Sequence, residues 1–140
     1  MKRKTISRLI IAFSAIYLLS AFKLQETGQV YFIRPANTVG SLIAYKVYID
    51  DQLVCHLKNK HYSLHNVTPG EHTVSIQNAG LGSHKKSKPL KINVVAGKSN
   101  YLVSINGSNL IIEETVENSG KDLLEKVVST KECLTSKVEK

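Results

Sequence analysis

The chain has 140 residues, with 19 Lys and Arg against 11 Asp and Glu, five His and two Cys. That length makes one domain with a core of its own and no need of staples. The formal charge of +8 is uneven: Lys2, Arg3, Lys4 and Arg8 precede Leu9, and without these four 15 basic residues face 11 acidic ones, a net +4. So mild an excess, with no RNA-binding motif of known spacing, argues against nucleic acid as a partner.

Residues 1–22 read as an export signal or membrane anchor. A cationic start precedes an apolar run over residues 9–22, broken only by Ser14 and Ser20. The run is shorter than the ~20 residues a spanning helix needs and fits the core of a signal peptide. The basic residues ahead of it hold that end on the cytoplasmic side. Ala21 suits the last position before a cleavage site, whereas Leu19 suits the third-last poorly. Leu19-Ser20-Ala21 also resembles the end of a bacterial lipobox, but Phe22 stands where a Cys would carry the lipid. Cleavage near Ala21, cleavage elsewhere and an uncleaved anchor all stay open. The expected location is the periplasm, or the inner membrane through residues 1–22 with the domain facing the periplasm.

Strand signals follow in series. Residues 29–34 read as a strand, Val30-Tyr31-Phe32-Ile33, stopped by Pro35. Residues 42–49 form a second, and Asp50-Asp51-Gln52 turns the chain into 53–57 as a hairpin partner. Residues 62–67 lead into Thr68-Pro69-Gly70, whose Pro-Gly pair fits a type II turn. Along 71–77, His72, Val74 and Ile76 alternate with Thr73, Ser75 and Gln77, the pattern of a half-buried antiparallel strand. A polar loop then carries His84-Lys85-Lys86-Ser87-Lys88. Leu90, Ile92 and Val94 alternate again, and Ala96-Gly97-Lys98 turns. Residues 100–105 and 109–116 pair through Asn106-Gly107. Beyond them Ser119 or Gly120 is placed to cap an amphipathic helix over 121–137, with Leu123, Leu124, Val127, Val128 and Leu134 at near-helical spacing. The expected plan is mainly β: an antiparallel β-sandwich of about seven strands over 28–116, an N-terminal signal or anchor helix over 1–22, and a C-terminal amphipathic helix over 119–140.

The chemistry-bearing residues are scattered. His61 and His65 are four apart, which on a strand separates them by ~13 Å, too far for one ion with ligands at ~2.1 Å. Ser83-His84-Lys85-Lys86 reads as Ser-x-x-Lys but sits in a loop rather than at a helix start. Asp50-Asp51 is a turn pair, and Glu113-Glu114 points to opposite faces of a strand. Gly80-x-Gly82 is too little to cradle a phosphate. No catalytic, cofactor or metal site is expected, and no cofactor. Cys55 and Cys133 either pair across 78 positions or stand as separate thiols, one on a strand and one on the C-terminal helix. Arg34 ends a strand beside Pro35 and reads as a partner or anion contact, or as a structural ion pair or carbonyl cap. Lys85, Lys86 and Lys88 read as a contact for an anionic partner, or as a solvated loop.

Gly28-x-Val30-Tyr31-Phe32-x-Arg34-Pro35, Val47-Tyr48-Ile49-Asp50-Asp51 with Leu53-Val54, then Tyr62, Pro69-Gly70-x-His72 and Ala96-Gly97-Lys98-x-x-Tyr101-Leu102 follow in order. In this order they resemble a domain-of-unknown-function family of small exported bacterial proteins, many of them lipoproteins. The layout is also similar to PEGA-type modules, envelope-associated sandwiches of the transthyretin or prealbumin kind. The resemblance covers roughly residues 28–116, implies that fold and compartment, and places an Arg at position 34. Phe22 departs from the lipoprotein members. The expected function is a non-enzymatic cell-envelope interaction module that binds another envelope protein or a polymer, with the membrane as a further partner if residues 1–22 stay. The alternative is a small-molecule or glycan-binding domain using exposed tyrosines among Tyr31, Tyr45, Tyr48, Tyr62 and Tyr101.

Overall fold

The computed structural model describes residues 26–36, 40–80, 85–106, 109–130 and 133, and the backbone of 137–138. The expected signal or anchor over 1–22 lies outside the described residues. Eight strands precede one short helix: β1 (Gly28–Arg34), β2 (Tyr45–Ile49), β3 (Gln52–Leu57), β4 (His61–Val67), β5 (Gly70–Asn78), β6 (Leu90–Val94), β7 (Ser99–Asn106), β8 (Leu110–Thr115) and α1 (Glu117–Leu124). Two two-residue strands follow, β9 (Val128–Ser129) and β10 (Lys137–Val138).

The strands form two sheets. One runs β10-β4-β1-β7-β8, with β9 also on β4, and the other runs β3-β2-β5-β6. The chain changes sheet between β1 and β2, β3 and β4, β4 and β5, and β6 and β7. The expected antiparallel pattern holds for most pairs, but the central β1–β7 pair is parallel. Alternate residues of both sheets meet in one core: Val30, Phe32, Leu102 and Ile112 from the first, Tyr45, Val47, Ile49, Val74, Ile76 and Ile92 from the second. The two sheets approach tightly at Gly28, where a Cβ would sit 2.5 Å from Val94 Cγ1 and 2.7 Å from the Val95 carbonyl oxygen.

Turn chemistry sets the register. Asp50 and Asp51 both hold positive φ, 47° and 63°. That is the two-residue type I′ geometry, whose twist matches a hairpin. Between β2 and β3 the register shifts, from Val47 opposite Cys55 to Tyr48 opposite Leu53. Val54 is the extra residue of this bulge, and beyond it Cys55 and Leu57 face the core.

Two sequence expectations change. The second strand starts at Tyr45 rather than at residue 42, because Ile43 N–H bonds back to the Gly40 carbonyl and closes a turn. The C-terminal helix is eight residues, Glu117–Leu124, and does not extend over 119–140. It starts after Val116, so Ser119 and Gly120 lie inside it rather than at its cap. After Leu124 the segment Val128-Ser129-Thr130, two of whose residues are β-branched, pairs with β4, where Val128 faces His61 and Ser129 faces Tyr62. Backbone pairing to a sheet edge outweighs the helical spacing of Leu123, Leu124, Val127 and Val128.

The C-terminal tail closes one side of the domain. Val128 pairs with His61 and Lys137 with Asn66, so the tail advances nine positions while β4 advances five. Cys133 falls in that surplus and is bonded to Cys55 on β3, with their Cα atoms 5.2 Å apart. The bond joins the β4 edge of one sheet to the β3 edge of the other.

Candidate functional site: a basic groove beside the β8 edge

Arg34 is 1% exposed, at the end of β1. Its Nη1 donates to the carbonyls of Ile43 at 2.7 Å and Leu57 at 3.0 Å, and its Nη2 to that of Gly40 at 2.9 Å. The guanidinium carbon lies 3.6 Å from the centre of the Tyr45 ring. Burial pulls this guanidinium below its ordinary pKa, while Tyr45 acts to raise it. Of the two roles read from the sequence, this geometry is that of the carbonyl cap. The fork pins the 40–43 turn and the end of β3 to β1.

The histidines are dispersed. His72, 2% exposed, faces Asp50 Oδ2 through Nδ1 at 2.7 Å and the Thr68 carbonyl through Nε2 at 2.8 Å. Asp50 Oδ1 also accepts from Thr73 N–H at 2.9 Å, so the ring and carboxylate tie the β2–β3 turn to β5. His65 is fully buried, edge-on to Phe32, and shares a 3.1 Å hydrogen bond with Ser63 Oγ. Burial lowers its pKa to about 4. His61 Nδ1 donates to the Asn59 carbonyl at 2.7 Å. No group of three or more metal-ligating side chains gathers among the described residues. Ser83 and His84 lie outside them.

At the other lateral side a groove of about 820 Å³ opens. One wall is the segment Lys85, Lys86, Ser87, Lys88 and Pro89, and the other is Asn106, Asn109, Leu110 and Ile111, with Asn78 at its end. The first wall is fixed to β5. Lys86 bridges to Gln77, Ser87 N–H donates to the Ile76 carbonyl at 2.7 Å, and Ser87 Oγ accepts from Ile76 N–H at 3.0 Å. β6 begins only at Leu90, so this stretch lies ahead of the strand, and the groove separates it from the start of β8.

The three lysines are not equivalent. Lys86 Nζ is 2.9 Å from Asp51 Oδ1 and 4.0 Å from the centre of the Tyr48 ring. Its ammonium is therefore drawn along the sheet towards the β2–β3 turn. Lys85 and Lys88 are exposed. The structure thus brings Lys85, Lys86 and Lys88 to one groove and sets Arg34 apart from them in the interior. The three Asn amides were missed in sequence, because Asn106 and Asn109 read as turn residues and only the fold carries them to the lysines.

The tyrosines do not share one surface. Tyr45 is 1% exposed in the core, and Tyr48 donates to Gln77 Oε1 at 2.8 Å on the opposite face of its sheet. Tyr62, Tyr31 and Tyr101 form a row across β4, β1 and β7, with Tyr31 stacked on Tyr101 at 5.1 Å and tilted to Tyr62 at 6.2 Å. Burial raises the Tyr31 pKa, helped by Tyr101 and Tyr62. Gly120 of α1 lies on the Tyr101 ring so closely that a Cβ there would overlap it.

No curated protein and no solved structure gives a significant match to the chain. The family model described as Protein of unknown function (DUF2846) matches residues 24–115, from before β1 to the end of β8, and the chain belongs to that family.

Proposed function

We propose that this chain is an exported, non-enzymatic cell-envelope interaction module, a sandwich of the transthyretin kind allied to PEGA-type modules, that meets an anionic envelope protein or polymer at the Lys85–Lys88 groove. The observation that carries it is the Cys55–Cys133 bond. Disulfides persist in oxidising compartments and are rare in the cytosol. The cationic start and apolar run of residues 1–22 supply the route out. The interaction role is supported by how the reactive side chains are spent. Arg34 holds carbonyls, His72 and Asp50 hold each other, and His65 is sealed in the core. Exposed Lys85, Lys88 and Asn109 line a groove of about 820 Å³.

Fractionation of producing cells, with thiol alkylation and intact mass, tests this reading. A soluble periplasmic species starting near Phe22, or a full-length chain in the membrane pellet, is expected, in either case unalkylated until reduced. A full-length, alkylated chain in the cytosol overturns it.

A further inference from the structure

β8 ends its sheet, and its sheet partner among the described residues is β7 alone. The other edge of that sheet is covered by β9 and β10 on β4. A bare edge of six residues presents a row of backbone donors and acceptors to any incoming strand. Charge along this edge is polarised. Lys85 and Lys88 stand beside Leu110 at its start, across the groove. Glu113 and Glu114 are exposed in its second half. The Glu114 carboxylate is held in place by Asn100 Nδ2 at 2.7 Å. Between the two charges Ile111 is 42% exposed.

We propose that β8 pairs antiparallel with β8 of a second copy of this chain, about a two-fold axis at Ile112. A two-fold axis sets the start of one strand against the end of the other. Leu110 then lies opposite Glu114 of the second copy, and Ile111 opposite Glu113. Each lysine pair then lies at the glutamate-bearing end of the other copy's strand, twice over. The register keeps Leu110, Ile112 and Glu114, which share the strand face of buried Ile112, on one side of the joined sheet, so both cores stay on the same side. Parallel pairing would set lysines on lysines and is disfavoured by the same charges. This inference rests on the groove being the contact surface, and it names the occupant. Six residues of edge make a weak, salt-sensitive dimer.

The test is sedimentation velocity on the full chain in mild detergent, with circular dichroism to check each fold. The wild type should self-associate, less so as salt rises. Lys85→Glu/Lys88→Glu and Glu113→Lys/Glu114→Lys should each weaken the dimer by about tenfold or more, since each sets like charges together. Mixed in equal amounts the two variants should pair again, because the mixed dimer restores opposite charges at both ends. A monomeric wild type, variants that pair as the wild type does, or a mixture that stays monomeric overturns the inference. If the wild type is monomeric while a crosslinker at position 88 captures a different envelope protein, self-pairing falls and the contact surface stands.

Discussion

The guanidinium of Arg34 lies 3.6 Å from the centre of the Tyr45 ring, and both residues are 1% exposed. Three backbone carbonyls, two from the 40–43 turn and one from the end of β3, accept from its Nη atoms. A buried cation held by carbonyls and an aromatic face needs the flat fork of arginine. Arg34→Lys keeps the charge but reaches fewer of the carbonyls and loses the stacked plane. It should cost about 2–4 kcal/mol in urea unfolding, with each carbonyl left dry adding its own penalty.

His65 sets an acid limit. It folds neutral, with its pKa lowered by burial from 6.5 to about 4, so the unfolded chain binds the proton more tightly. Its contribution is whole above pH 6.5 and is lost as pH falls from there towards 4. The loss amounts to about 3 kcal/mol. Urea melts at stepped pH should show this fall, and His65→Leu should flatten it.

The Cys55–Cys133 bond closes a separation of 78 residues. In the chain-entropy account its removal costs ~4.5 kcal/mol. Cys55→Ser/Cys133→Ser should show that drop in unfolding free energy. Amide exchange should rise first at Val128 and Ser129, whose pairing to β4 the bond supports.

Gly120→Ala tests the seat of α1. In an open helix this change gains up to ~1 kcal/mol. Here the added methyl meets the Tyr101 ring, so the net effect should be a loss of about 1–3 kcal/mol. The near-ultraviolet signal of the stacked Tyr31–Tyr101 pair should change with it.

Strands β1 to β8 were legible because alternation and turn residues agree locally. Asp50, Asp51 and Gly97 take the positive φ that their turns require, whereas Gly70, at φ 137°, opens β5 away from the roughly +80° of the expected type II turn. The tail was not legible. Val127 and Val128 satisfy a helical period, and the pairing of Val128 with His61 depends on an edge formed 67 positions earlier. The cysteine pairing hides for the same reason, since only the crossing from β3 to β4 and the surplus in the tail bring the two Cα atoms within 5.2 Å. Arg34 was conspicuous in sequence, but its burial was not, because its acceptors are backbone carbonyls that leave no side-chain pattern. The lysines of the groove were visible as a run, while their different surroundings came from Asp51 and Tyr48, both distant in the chain.

The contact role of the groove is tested most directly by photo-crosslinking in intact cells. A benzophenone side chain replaces Lys88 in one strain and Lys126, exposed near the end of α1, in another. The account predicts a discrete adduct from position 88, lost when Lys85 is also changed to Glu, and none from position 126. No adduct from position 88, or equal adducts from both positions, would contradict it.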